Sequence, residues 1–212
     1  MIEKFIKGTH LKRLDNIIQW QEKDVFTKES VSQHSFKVTI FTRMILEEIF
    51  GVYNSGEIAK FKLDCVTKAM FHDWDEAIFL RDISHEIKYN TFNGEKIREV
   101  IKEYVENEFN EEFSPVSLSP NNSAFDVLYA AVIDSDKCVK SVVKLADWLA
   151  LYYFCEREIN LGNKDFDAIK KYCENEMLKA VLTMDEEITK RFSGLGLKGR
   201  MIKLYGNIKD IL

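Results

Sequence analysis

Met70-Phe71-His72-Asp73-Trp74-Asp75-Glu76-Ala77 is the stretch from which the fold can be worked out. Upstream of it, Ile58, Phe61, Cys65 and Ala69 precede His72 at spacings of three and four. At about 100° per residue these positions share one stripe of a helix, which His72 completes, facing inward. Adjacent His72 and Asp73 offer a hard divalent cation one imidazole nitrogen and one carboxylate oxygen from neighbouring backbone positions. A lone inward histidine is more often a core residue satisfied by hydrogen bonds. Other inward-facing ligands must therefore exist before the pair implies a metal site.

Two are found. Ser30-Val31-Ser32-Gln33 fits a capping box, which places His34 in the first turn of a helix. Val38, Phe41, Ile45 and Ile49 continue the stripe of His34, so this imidazole also faces inward. Farther on, residues 145–154 are apolar or aromatic except for Asp147. A helix of that composition is buried on nearly all sides and carries one carboxylate inside. Such a group protonates, pairs with a cation from another helix or binds metal, and the metal is the expectation adopted.

The remaining composition narrows the class. A chain of 212 residues with 46% hydrophobic residues and a net charge of −5 is long enough for one well-cored domain. Two prolines and nine glycines leave little room for a turn-rich β fold. No apolar run approaches the ~20 residues that span a bilayer, and residues 1–20 lack a signal-peptide core, so a cytoplasmic protein is expected. Cys65, Cys138, Cys155 and Cys173 contain no Cys-x-x-Cys pair, which argues against disulfides and a zinc ribbon. The acidic balance, without a basic run, argues against a long nucleic-acid partner, because phosphate tracking needs clustered Lys and Arg.

Periodicity predicts helices near 9–21, 31–50, 56–72, 94–111, 123–134, 138–160 and 165–192, then a more irregular tail, all within one helical domain over 1–212. Residues 114–123, which hold both prolines, form the clearest loop. Gly194-Leu195-Gly196-Leu197-Lys198-Gly199 matches G-x-G-x-x-G, but no strand precedes it and no βαβ unit surrounds it. It is expected to be a loop whose glycines serve as caps and turns.

His34, then His72-Asp73, then a distant Asp147, each on its own helix, resembles the H…HD…D arrangement of HD-domain metal-dependent phosphohydrolases. Glu29-Ser30-Val31-Ser32-Gln33-His34-Ser35 is similar to the family's E-x-V-x-E-H-S stretch, with Gln33 for the commoner Glu. His72-Asp73-Trp74-Asp75-Glu76, Asp82 and Lys88-Tyr89 resemble its H-D-x-x-E…G-D…K-Y segment. Trp20 and Val143-Lys144-Leu145-Ala146-Asp147 have counterparts in the 5′-deoxynucleotidase (YfbR-like) branch. The resemblance runs over about residues 10–175, leaving 176–212 as a C-terminal helical extension.

The resemblance implies an all-α, single-domain HD-type helical bundle. One divalent cation, cobalt, manganese or similar, would be held by His34, His72, Asp73 and Asp147. Phosphate would be released from deoxynucleoside 5′-monophosphates, small-molecule substrates, by a protein that is neither membrane-bound nor necessarily monomeric; a homodimer is compatible with the family. Glu76, one helical turn from His72, would manage a proton, orient water or steady a ligand. Asp82 would act on the substrate side, Trp20 would lie beside the deoxyribose, and Lys88 and Lys144 would meet phosphate.

Two departures bear on substrate choice. The Arg usual before the Trp is Gln19, with Arg13 six residues earlier, and neutral Gln cannot replace a bidentate phosphate clamp. The Gly usual before Asp82 is Arg81, which would reshape the loop or supply the missing cation. With four histidines in the chain, His10 and His85 are too few to add to His34 and His72 for a histidine-rich two-metal phosphodiesterase site. A deoxynucleoside triphosphohydrolase on the same metal site is the rival activity, and a non-catalytic nucleotide-binding regulator is the rival from another class.

Overall fold

The computed structural model describes residues 10–51, 53–79 and 135–211, with single positions at 96, 99, 100, 103, 104 and 107. The helices are α1 (His10–Asn16), α2 (Val31–Phe50), α3 (Gly56–Met70), α4 (Trp74–Phe79), α5 (Lys137–Asn160), α6 (Phe166–Arg191) and α7 (Lys198–Ile211). A 3-10 turn at Ser193–Leu195 precedes α7. Among the described residues the only extended pairing is an isolated bridge between Ile18 and Ser30, so the all-α expectation holds. The single positions from 96 to 107 are helical and exposed, within the helix expected at 94–111. The loop at 114–123 and the helix at 123–134 lie outside the described residues.

The chain divides into two compact units, Met1–Ser35 with Phe71–Asp134 and Phe36–Met70 with Ser135–Leu212. The second unit holds an extensive apolar core. Val38, Ile45 and Ile49 of α2 join Ile58, Phe61, Cys65 and Ala69 of α3 in it, as the spacings predict; Phe41 of the same stripe packs against the core only partly buried, and Leu46 and Phe50 enter it beside the predicted positions. α5 contributes Val139, Val142, Leu145 and Ala146, and α6 contributes Cys173, Met177, Val181, Met184 and Ile188. Phe50, Phe61 and Phe192 meet edge to face, with centroids 5.1 to 5.7 Å apart.

α5 and α6 pack along one another as a helical hairpin whose short connection turns at Gly162, φ 99°. The end of α5 is pinned there by a buried pair: Asn163 Nδ2 donates to Glu158 Oε2 at 2.9 Å, and the Asn163 N–H donates to the Glu158 carbonyl, also at 2.9 Å. α2 ends on Gly51, φ 51°, whose N–H donates to the Glu47 carbonyl. The Arg200 guanidinium of α7 fills the place where a Cβ would project. Burial pushes the Cys138 and Cys155 thiols up to about 12 and raises Cys65 and Cys173 as well, so these are small hydrophobes rather than reactive groups.

Three boundaries differ from expectation. The tail is more regular than periodicity predicts: α7 runs over Lys198–Ile211 and buries Met201, Leu204 and Ile208 at helical spacing. The glycine-rich stretch before it forms the 3-10 turn and an αL cap at Gly196, φ 61°, so it is the connection expected rather than a nucleotide loop. α1 stops at Asn16 instead of continuing to 21, because residues 17–19 pair with 29–31. The Gln19 N–H donates to the Glu29 carbonyl and the Val31 N–H to the Ile17 carbonyl, both at 2.9 Å. The consecutive β-branched Ile17 and Ile18 favour that extended path. The third difference, at residues 71–73, falls at the site itself.

Candidate metal centre

The first unit carries the two histidines. α2 opens on the expected capping box: Gln33 Oε1 accepts from the Ser30 N–H at 3.0 Å, and Ser30 Oγ accepts from the Gln33 N–H at 3.3 Å. The His34 N–H donates to the Ser30 carbonyl at 3.0 Å, which fixes the turn from which the imidazole projects, 5% exposed. The glutamine that replaces the commoner glutamate therefore performs the same capping task.

α3 ends at Met70, and residues 71–73 form a turn before α4, so His72 and Asp73 stand between two helices rather than on one. The Trp74 N–H donates to the Phe71 carbonyl and the Glu76 N–H to the Asp73 carbonyl, at 3.2 and 3.1 Å. Trp74, 2% exposed, lies with its ring 5.2 Å from that of Phe71, anchoring the turn. Glu76 consequently lies in the first turn of α4, not one turn farther along the helix of His72, and is 3% exposed.

These elements bring three donors to one place. Asp73 Oδ2 lies 3.0 Å from His72 Nε2 and 3.8 Å from His34 Nε2. The two imidazoles are tilted by 49°, with centroids 5.2 Å apart, so they converge on the carboxylate without stacking. Two imidazole nitrogens and a carboxylate oxygen facing one another are a donor set that fits a divalent first-row cation. On the far side of His34, Glu29 Oε1 is 3.8 Å from Nδ1, and Glu29 is 3% exposed. No task for Glu29 is legible in the motif that contains it; its place directly before the capping serine was the available signal.

Asp147 belongs to the second unit, on α5, and is less deeply placed than the surrounding apolar run suggests. Its side chain is 27% exposed, and Oδ2 is 3.1 Å from Lys144 Nζ. That cation comes from the same helix, one turn earlier. Lys144 Nζ also stands 4.5 Å above the Trp148 ring.

Trp20 is not at a helix end but in the turn after the 17–19 segment, at φ 62°, with its carbonyl accepting from the Lys23 N–H. A bulky side chain in the left-handed region is a strained arrangement of the kind that gathers at binding sites. Arg13, the guanidinium six positions before Gln19, donates from Nη1 to the Ala77 carbonyl at 3.3 Å and so ties α1 to α4. Arg81, Asp82, His85 and Lys88 lie outside the described residues.

The chain is similar to known proteins in sequence and in fold. The chain is 28% identical over 186 residues to the 4′-phosphooxetanocin A phosphatase of Priestia megaterium, covering 88% of this chain and 89% of that protein. It is 32% identical over 170 residues to a 5′-deoxynucleotidase of Pasteurella multocida, covering 79% and 81% of the two. Identity to the 5′-deoxynucleotidase YfbR of Escherichia coli is 30% over 165 residues, 74% of each chain. A crystal structure of an HD-domain phosphohydrolase from Listeria innocua shares the fold, with a TM-score of 0.61 at 20% identity over 100% of this chain and 99% of that one. The model of the YfbR-like 5′-deoxynucleotidase family matches residues 5–192, and the chain belongs to that family.

Proposed function

We propose that the protein is a metal-dependent 5′-deoxynucleotidase, which hydrolyses deoxynucleoside 5′-monophosphates to a deoxynucleoside and inorganic phosphate. The observation that carries this reading is the convergence of His34 Nε2, His72 Nε2 and Asp73 Oδ2, in a chain of this family. Asp147 is the fourth ligand in this reading; it, like His34 and His72, can offer one ligand atom. A donor set of two imidazoles and two carboxylates suits cobalt, manganese or a similar ion. Such a cation supplies Lewis-acid polarisation of the phosphoryl group and a lowered pKa for water.

The chain's own groups do the rest. Glu76, held in the first turn of α4 three residues from Asp73, takes a proton from the water that attacks phosphorus. The P–O5′ bond breaks in line with that attack, and the proton is returned to the leaving oxygen. Lys144 neutralises charge on a phosphate oxygen, with Lys88 and Arg81 as further cations and Asp82 on the substrate side. Trp20 closes against the deoxyribose and leaves no room for a 2′-hydroxyl.

Phosphate release from deoxynucleoside monophosphates, the matching triphosphates and ribonucleoside monophosphates, each with added cobalt or manganese, tests the assignment. Turnover of the deoxymonophosphates alone is expected, and Trp20→Ala should raise activity on the ribonucleotides relative to the deoxy series. Release of triphosphate would move the activity to a triphosphohydrolase. Nucleotide binding without turnover would make the protein a regulator.

A further inference from the structure

We propose that Glu29 is a positioning residue for His34, holding the imidazole in the tautomer that turns the Nε2 lone pair toward the cation. The inference rests on the metal-site reading above and extends it to a residue with no ligand role. Glu29 Oε1 is 3.8 Å from His34 Nδ1, and Nε2 of the same ring is 3.8 Å from Asp73 Oδ2. The imidazole is thus bracketed by carboxylates on its two nitrogens. A neutral imidazole carries one proton, and only the bare nitrogen can ligate.

Asp73 and Glu29 pull on that proton from equal distances. A cation held by Asp73 would take up the charge of that carboxylate and weaken its pull on Nε2, while Glu29 would still favour the proton at Nδ1. The separation is ion-pair length rather than hydrogen-bond length, so the effect is electrostatic, and burial strengthens it by removing solvent screening. An outer carboxylate of this kind fixes the orientation of the ring.

Glu29 is also built into a rigid setting. It is 3% exposed, its carbonyl accepts from the Gln19 N–H at 2.9 Å, and the next residue, Ser30, takes part in both the bridge to Ile18 and the capping box. Its backbone is therefore fixed relative to the first turn of α2, where His34 sits. A carboxylate so placed is not a solvated surface charge.

The test is cobalt(II) binding to the full-length, chelator-stripped protein, followed by calorimetry and by visible d–d absorption, for wild type, Glu29→Leu, Glu29→Gln and His72→Ala. The expected result is a Kd for cobalt weakened about 10- to 100-fold in Glu29→Leu, with an altered d–d spectrum, and an intermediate loss in Glu29→Gln. Circular dichroism melts of the metal-free proteins separate this from misfolding; if the leucine variant does not fold, the glutamine variant decides. Wild-type affinity and spectrum in the folded Glu29→Leu, or in Glu29→Gln, would overturn the proposal. Equal affinity in wild type and His72→Ala would show instead that cobalt binds elsewhere, which removes the metal-site reading and the role of Glu29 with it.

Discussion

Glu76 makes the most informative single substitution. Glu76→Gln keeps the shape of a buried side chain but cannot accept a proton, so kcat should fall by about 10²- to 10⁴-fold while the cobalt Kd stays near wild type. A parallel loss of metal affinity, measured by the same titration, would reassign Glu76 to supporting a ligand. Ser30→Ala removes the hydroxyl half of the capping box and should cost about 1 kcal/mol in a urea-unfolding experiment. The inward direction of His34 and the box beneath it were legible because both follow from local spacing. The environment of Asp147 was not: an apolar run reports which residues are oily, not which neighbour on the same helix turns a charge back onto the carboxylate. Lys144, three residues before it, does so at 3.1 Å.

Long helices were legible as elements because each carries a stripe repeated over several turns. α2 and α5 fall within a residue of the expected ranges, Val31–Phe50 and Lys137–Asn160. Ends were less legible wherever a distant segment decides them. α1 stops because 17–19 pair with 29–31, a contact set by neither segment alone. The break at 71–73 is likewise hidden, since His72 continues the helical spacing of α3 while the backbone has already turned. Packing between elements gives a direct test in the second unit. Phe61 of α3 is fully buried against Phe50 and Phe192, with the Arg191 guanidinium 4.7 Å above its ring. Phe61→Ala should therefore lower unfolding free energy by about 3–5 kcal/mol in denaturant titration. Asn163→Ala, which takes a donor from buried Glu158, should cost about 1–3 kcal/mol by the same measurement.

At the level of the whole molecule, the core sets an alkaline limit to stability. The folded state holds the Cys138 and Cys155 thiols up at about 12, above their ordinary value, so they stay protonated where the unfolded chain ionises. The stability they contribute is complete below the ordinary thiol pKa and is lost as pH rises through the window toward 12. Each thiol then costs about 1.4 kcal/mol per pH unit, and urea midpoints measured at successive alkaline pH values should fall accordingly. Among the described residues no helix is long and apolar enough to cross a membrane. In the proposed function, His34, His72 and Asp73 hold a cation that serves phosphomonoester hydrolysis. Phosphate release from a deoxynucleoside 5′-monophosphate, followed before chelation, after it and after cobalt is restored, in wild type and His72→Ala, tests this most directly. Activity that disappears with chelator, returns with cobalt and is absent from His72→Ala is the predicted result. Chelator-resistant activity, or equal activity in the folded variant, would contradict it.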